Sequence, residues 1–212
     1  MILHDYFRSS AAYRLRIALH LKGLAPERRS VHLLRGEQRT PGFLALNPQG
    51  LVPVLEVGDR RLTQSLAIIE YLVEKHPQPP LLPEGPEDRA WVRAIALAIA
   101  CDIHPLNNTS VLGYLKNTLG LDQAARDDWY RHWITLGFEA IEPQLAARAG
   151  EGPYCFGREP TLADICLVPQ VANAGRVNMD LGPWPRIREV DAACRELPAF
   201  AAAHPSKQPD AE

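Results

Sequence analysis

Residues Pro77 to Glu87 read PQPPLLPEGPE, with five prolines and one glycine. Proline fixes φ and lacks an N–H, so neither a helix nor a central strand can run through such a stretch. The chain must therefore fold in two parts. The boundaries expected are a first domain over residues 1–80 and a second over 87–212. With 212 residues, 46% of them hydrophobic, there is enough apolar material for two cores.

In the first part, Ile2 to Phe7 is a short apolar and aromatic run. Ser9-Ser10 then precedes Tyr13, Ile17, Ala18 and Leu21 at helical spacing, closed by Gly23. Ser30 to Leu34 reads as a second strand. Leu51 to Val57 and Arg61 to Thr63, on either side of Gly58-Asp59, read as a hairpin. Leu66, Ile69, Leu72 and Val73 mark another helix. The order β-α-β, a variable segment, then β-β-α predicts a thioredoxin-like α/β domain with a mixed four-stranded sheet.

Beyond the connector the pattern is helical. Trp91, Ile95, Ala98 and Ile99 share one stripe, and Trp129, Trp133, Leu136, Ala140 and Ile141 share another. Thr161-Leu162-Ala163-Asp164 has the form of a capping box, which places a helix start just after Pro160. The second domain is expected to be all-helical, and the tail from about Ala201, which lacks periodicity, to be frayed.

Charge and apolar runs exclude several classes. The 23 Lys+Arg against 25 Asp+Glu give a net charge of -2, so the basic field that nonspecific nucleic-acid binding needs is missing. The longest apolar run, Ala94 to Cys101, is far short of the roughly 20 residues that cross a bilayer, and no cleavable leader is evident. Neither a nucleic-acid nor a membrane partner is expected, and the location expected is the cytoplasm. Residues 1–86 carry 11 basic and 8 acidic side chains, and residues 87–212 carry 12 and 17, which favours an anionic ligand on the first half.

Cys101, Cys155, Cys166 and Cys194 form no C-x-x-C pair, so neither a zinc knuckle nor a dithiol redox centre is spelled out. Each is expected to be a small buried hydrophobe. Arg8, Ser9 and Ser10 fall where the first helix begins, with its unpaired N–H groups and positive dipole end. Two readings are open there: a serine that caps the helix, or a serine that stabilises a thiolate. In NPQGLVPVL, Pro53 enters a strand, and a cis Val52–Pro53 bond would turn the Val52 backbone toward a peptide ligand. Gln64-Ser65 opens the next helix, either as a cap or as a carboxylate site. His104, before Pro105, either ends a helix, displaced from helical geometry by the proline, or serves proton transfer.

The runs SSAAYRLRIALHLKG, NPQGLVP, QSLAIIEYL, CDIHPLNN and TLADICLVPQ together resemble the zeta class of the glutathione transferase family, in order and over nearly the whole chain. The resemblance implies a glutathione-binding thioredoxin-like domain, a helical domain completing a substrate pocket, and a homodimer. It implies that glutathione meets Ser9, Ser10, Ala11, Gln38, Val52, Pro53, Gln64, Ser65, Asp102, His104 and Asn108. Ser9, Ser10 and His104 would be catalytic, and Arg8 and Arg176 would bind the carboxylates of a small diacid. The activity implied is glutathione-dependent cis-to-trans isomerisation of maleylacetoacetate in aromatic amino-acid degradation, or the same step on maleylpyruvate. A conjugating transferase is the alternative of another reaction type. The class pattern commonly has Cys after the serine pair, whereas this chain has Ala11, so the reacting sulfur must be that of glutathione.

Overall fold

In the computed structural model, which describes residues 1–212, the N-terminal apolar run forms strand β1 (Ile2–Asp5), followed by helix α1 (Ser10–Leu21) and strand β2 (Glu27–Ser30). β1 and β2 run parallel, with Ile2 opposite Glu27 and Asp5 opposite Ser30. After the short helix α2 (Pro41–Leu46) come β3 (Val54–Val57) and β4 (Arg60–Thr63), an antiparallel pair joined at Gly58-Asp59. The sheet order is β2-β1-β3-β4, a mixed thioredoxin-like sheet. Helix α3 (Ser65–Lys75) packs on α1. Leu15, Ile17, Ile68, Ile69 and Leu72 are fully buried in these helices.

The second strand departs from its expected place. The run Val31–Leu34 does not form a strand: Val31 is buried, and Leu33–Arg35 makes a 3₁₀ turn whose cap is the His32 ring, accepting from the Arg35 N–H. The strand is instead Glu27–Ser30, an edge strand of polar residues held by main-chain bonds to β1. Such an edge has little apolar alternation to announce it.

The connector is anchored at its start. Lys22, at the end of α1, donates from Nζ to the carbonyls of His76 at 2.6 Å and Pro79 at 2.5 Å. The boundary at Pro80 separates the two compact units, but the first unit also includes Glu196–Glu212; the second is Leu81–Arg195. The tail is therefore not frayed. A helix over Pro198–Ala203 packs on α1, and the following residues bond to β2 and the β1–α1 turn.

The second unit is all-helical: α4 (Pro86–Leu97), α5 (Thr109–Asn117), α6 (Gln123–Ala146), α7 (Leu162–Arg176) and α8 (Pro185–Arg195), with α9 (Pro198–Ala203) belonging to the first. No helix is long and apolar enough to cross a membrane. The buried face of α6 is Tyr130, Ile134, Phe138, Ile141 and Leu145; of the stripe expected from Trp129, Trp133, Leu136, Ala140 and Ile141, only Ile141 lies on it. Leu136 and Ala140 are exposed, while the two tryptophans are half-buried, with rings 5.5 Å apart edge to face and the Trp129 indole donating to the Leu106 carbonyl. The indole N–H of Trp129, bonded to that carbonyl, holds its ring at the rim of the core, which shifts the apparent stripe.

The capping box at Thr161 is formed. The Thr161 hydroxyl accepts from the Ala163 N–H, and the Asp164 carboxylate accepts from the Thr161 N–H at 2.7 Å and the Thr161 hydroxyl at 2.9 Å. Asp164 also accepts from the Cys155 N–H at 2.7 Å, so one fully buried carboxylate ties the preceding loop to the start of α7.

Candidate active site

The register of the sheet brings three connections to one end. His4 of β1 lies opposite Val54 of β3, and Val54 lies opposite Thr63 of β4. The chain leaves β1 there toward Ser9, enters β3 there through Val52-Pro53, and leaves β4 there through Gln64 into α3. The N-termini of α1 and α3 thus open at the same end of the sheet as the strand-entering proline. Helix N-termini carry unpaired N–H groups and partial positive charge, so this end favours anions.

At α1, Ser9 is the N-cap. Its backbone is extended (φ -72°, ψ 119°), and its Oγ accepts from the Ala12 N–H at 3.2 Å. The cap reading of the serine holds, and because the oxygen is used as an acceptor the hydroxyl proton is still free to donate. Ser9 is half-buried, whereas Ser10, the first helical residue, is buried. Arg8 is exposed in the turn.

The NPQGLVP loop is built by Asn47. Its Oδ1 accepts from the Gln49 N–H at 3.1 Å, and its Nδ2 donates to the Leu51 carbonyl at 2.8 Å. Gly50 sits at φ 62°, and a Cβ there would lie 3.0 Å from the Gln38 carbonyl oxygen, so the loop requires glycine. The Val52–Pro53 bond is cis, as expected. Gln64 holds the uncommon conformation φ 67°, ψ 115° just before the buried Ser65, and its amide donates to Gln49 Oε1 at 3.0 Å. Positive φ outside glycine marks a constrained position, of a kind enriched at ligand sites. Gln38 donates to the Leu33 carbonyl at 3.2 Å, and its Oε1 is buried without a hydrogen-bond partner.

The remaining expected residues lie in the second unit. Helix α4 continues into a π-helical turn, Ala98–Ile103, then a 3₁₀ turn, His104–Asn107. Single π turns recur at functional sites. His104 keeps helical geometry (φ -58°, ψ -40°) in front of Pro105, so of its two readings the one in which the proline displaces it does not hold. His104 is half-buried and Asp102 exposed. Asn108 is the N-cap of α5: its Oδ1 accepts from the N–H groups of Ser110 and Val111, each at 3.0 Å, so that oxygen has a structural task. Arg176 is the exposed last residue of α7.

The π turn is set by a close approach. A Cβ on Gly137 of α6 would lie 2.1 Å from Ile103 Cδ1. Gly137→Ala should therefore destabilise the protein by about 1–3 kcal/mol through overpacking. Adding Ile103→Ala should cost less than the sum of the two single changes, because the added methyl then has room. Urea denaturation of the four proteins checks this; strict additivity would contradict it.

The protein's own thiols offer no nucleophile in either core. Cys155, Cys166 and Cys194 are buried as expected, while Cys101, against expectation, is exposed because it lies on the outer side of the π turn. Burial, reinforced by the Asp164 carboxylate, pushes the Cys155 and Cys194 thiols well up, so they stay protonated.

Beneath the β1–α1 turn lies a charged cluster that none of the sequence motifs above names. Buried Arg16 of α1 donates to Asp5 Oδ1 at 2.8 Å, to the Phe7 carbonyl at 3.0 Å and to the Ala203 carbonyl at 3.0 Å. Burial pulls its guanidinium down from the ordinary arginine value, and Asp5 pulls it back up. The available signal was the two arginines of YRLRIAL, Arg14 and Arg16, inside an apolar helix, where charge requires partners.

A family model for the glutathione S-transferase N-terminal domain matches residues 8–75. A probable maleylacetoacetate isomerase of Vibrio cholerae is 52% identical over 213 residues, covering 100% of this chain and 98% of that protein. The holo structure of a maleylpyruvate isomerase, a bacterial glutathione S-transferase of the zeta class, is 51% identical and superposes with a TM-score of 0.98 over 100% of both chains. A maleylacetoacetate isomerase of Methylobacterium extorquens AM1, solved with malonate and glutathione bound, is 40% identical with a TM-score of 0.96, again over 100% of both chains. With a sheet end of this form and identity of this order along its full length, the chain belongs to the glutathione S-transferase family, in the zeta class.

Proposed function

We propose that this protein catalyses the glutathione-dependent cis-to-trans isomerisation of maleylacetoacetate to fumarylacetoacetate. The observation that carries the reading is the convergence of Ser9, Pro53 and Ser65 at one end of the sheet, where two helix N-termini open. The residues fit glutathione. Ser65 and the first turn of α3 suit the α-carboxylate of its γ-glutamyl group, with Gln64 beside them. The Val52 backbone suits an extended peptide, and the orphaned Gln38 Oε1 suits a donor near the glycine end. Ala11 borders the Ser9 turn, and Asp102, His104 and Asn108 are assigned to the same ligand from the second unit.

When bound here, glutathione would supply a thiolate nucleophile able to add reversibly to the conjugated double bond. The chain's residues prepare for this. The Ser9 hydroxyl donates toward the sulfur, and the amide dipoles of the first turn of α1 add positive potential, so the charged thiolate is favoured over the thiol. Ser10, buried against the helix start, supports that turn. Arg8 and Arg176 present guanidinium forks to the carboxylates of the diacid, so that one end stays fixed while the other swings. His104, half-buried at the start of the 3₁₀ turn, gives polar support.

Maleylpyruvate, which carries the same double bond on a shorter diacid, is the second reading, favoured by the 51% identity to a maleylpyruvate isomerase. The proposal further places the enzyme in the cytoplasm as a homodimer. Support for a reduced compartment comes from the four free cysteines, and the second copy follows from membership of the class. Light scattering during gel filtration tests the dimer.

Steady-state kinetics on the two diacids test substrate choice, with a higher kcat/KM expected for maleylacetoacetate. Arg176→Met should lower kcat/KM on the order of 10- to 100-fold, mainly through KM for the diacid, for a lost charge-assisted contact of about 1.5–3 kcal/mol. Glutathione affinity should hold. Unchanged kinetics in Arg176→Met would remove that residue from the site.

A further inference from the structure

The turn that carries Arg8 and Ser9 is held from below by residues remote in sequence. The Phe7 N–H donates to Asp210 Oδ2 at 3.0 Å, and the Phe7 carbonyl accepts from Arg16 Nη2 at 3.0 Å. These groups belong to two successive peptide planes. Holding both fixes φ and ψ of Phe7, and with them the direction in which the chain enters Arg8 and Ser9. The Ser9 N–H closes the turn onto the Tyr6 carbonyl at 3.0 Å.

Asp210 is itself fixed. Its Oδ2 also accepts from the Ser30 hydroxyl at 3.0 Å, and its Oδ1 lies 3.8 Å from Arg28 Nη2. Arg28 also binds the buried Asp5 and donates to Gln208 Oε1 at 2.5 Å. Gln208 donates in turn to the carbonyls of Ala202 and His204, at 2.9 and 2.7 Å. The segment after α9 is thus sewn to β2 and to the β1–α1 turn by side chains rather than by a strand.

We propose that Asp210 is a positioning residue for the reaction: its carboxylate, acting with Arg16 on the Phe7 peptide, sets the orientation of Arg8 and Ser9. This rests on the roles given to Arg8 and Ser9 above. In this role Asp210 acts only through the turn, by its bond to the Phe7 N–H. An offset of about 1 Å in a reacting or orienting group can cost on the order of 100-fold in rate, so a single acceptor beneath the turn has leverage on turnover.

The test uses the full chain with Asp210→Ala, Asp210→Asn and Ser9→Ala, measured for kcat, for KM of glutathione and the diacid, and for the thiolate absorbance of bound glutathione against pH. Asp210→Ala should lower kcat on the order of 10- to 100-fold and raise the pKa of the bound thiol. Asp210→Asn keeps an oxygen acceptor for the Phe7 N–H and should recover most of both. Should Asp210→Ala fail to fold, Asp210→Glu keeps the charge, shifts the acceptor by one methylene, and should give the same fall in kcat. A lowered melting temperature with kcat and the thiol titration at wild-type values would overturn the proposal, because a structural anchor alone gives that result. If Asp210→Ala is inert while Ser9→Ala is impaired, the positioning role falls and the site reading stands. If Ser9→Ala is inert while Asp210→Ala is impaired, the role of Ser9 falls and positioning acts through Arg8 and the turn amides.

Discussion

Ser9→Ala is expected to lower kcat/KM on the order of 100- to 1000-fold and to raise the pKa of glutathione bound to the enzyme. The magnitude is that of removing one preorganised donor from a site where charge must be stabilised. The geometry separates the two serines. Ser9 is half-buried and accepts from the Ala12 N–H through Oγ, which leaves its proton for the sulfur, while Ser10 is buried within the first turn. Ser10→Ala should therefore have the smaller effect. Losing the cap also costs about 1 kcal/mol of stability, so the melting temperature must be followed alongside the rate. Ser9→Thr retains both cap and hydroxyl, and should recover much of the activity. A thiolate titration unchanged in Ser9→Ala would mean that the helix amides or His104 stabilise the sulfur instead.

Asp164→Ala is expected to cost about 3–5 kcal/mol, a large share of the roughly 5–15 kcal/mol that holds a typical domain together. Burial pushes the Asp164 carboxyl up from the ordinary aspartate range, and the donors from Cys155 and Thr161 draw it back. Removing the carboxylate strands the Cys155 N–H, the Thr161 N–H and the Thr161 hydroxyl in a dry interior, each at about 1–3 kcal/mol before relaxation. At about 2–4 °C per kcal/mol for a chain of this size, the melting temperature should fall by roughly 6–20 °C. Asp164→Asn keeps one acceptor but turns an NH₂ toward N–H donors, so it should fall in between. Calorimetry of the three proteins reads this directly, and a wild-type melting temperature for Asp164→Ala would contradict it.

What was legible in the sequence follows from how local each determinant is. The capping box, the two-residue hairpin turn and the strand-entering Pro53 are set by short-range chemistry, and each appears where its residues place it. The Ser9 turn was equally visible, because a serine pair before an apolar helical stripe is a cap signal whatever else it does. The edge strand Glu27–Ser30 was missed because its polar side chains carry no period-2 pattern; its place is decided by pairing with β1. The buried face of α6 was misplaced because tryptophan counted as core while its indole sought the Leu106 carbonyl. The tail looked frayed because what holds it is long-range: Arg16, Arg28 and Phe7 meet Ala203, Gln208 and Asp210 only in the folded chain. No local periodicity encodes a contact spanning some two hundred residues.

The central claim is that glutathione is a catalyst here and not a substrate. The most direct measurement follows maleylacetoacetate conversion by the purified enzyme at substoichiometric glutathione, with free thiol counted before and after. The account predicts many turnovers per glutathione, a trans product, and full recovery of the thiol. Loss of one thiol per molecule of diacid consumed, with conversion stopping when glutathione is exhausted, would contradict it and identify a conjugating transferase.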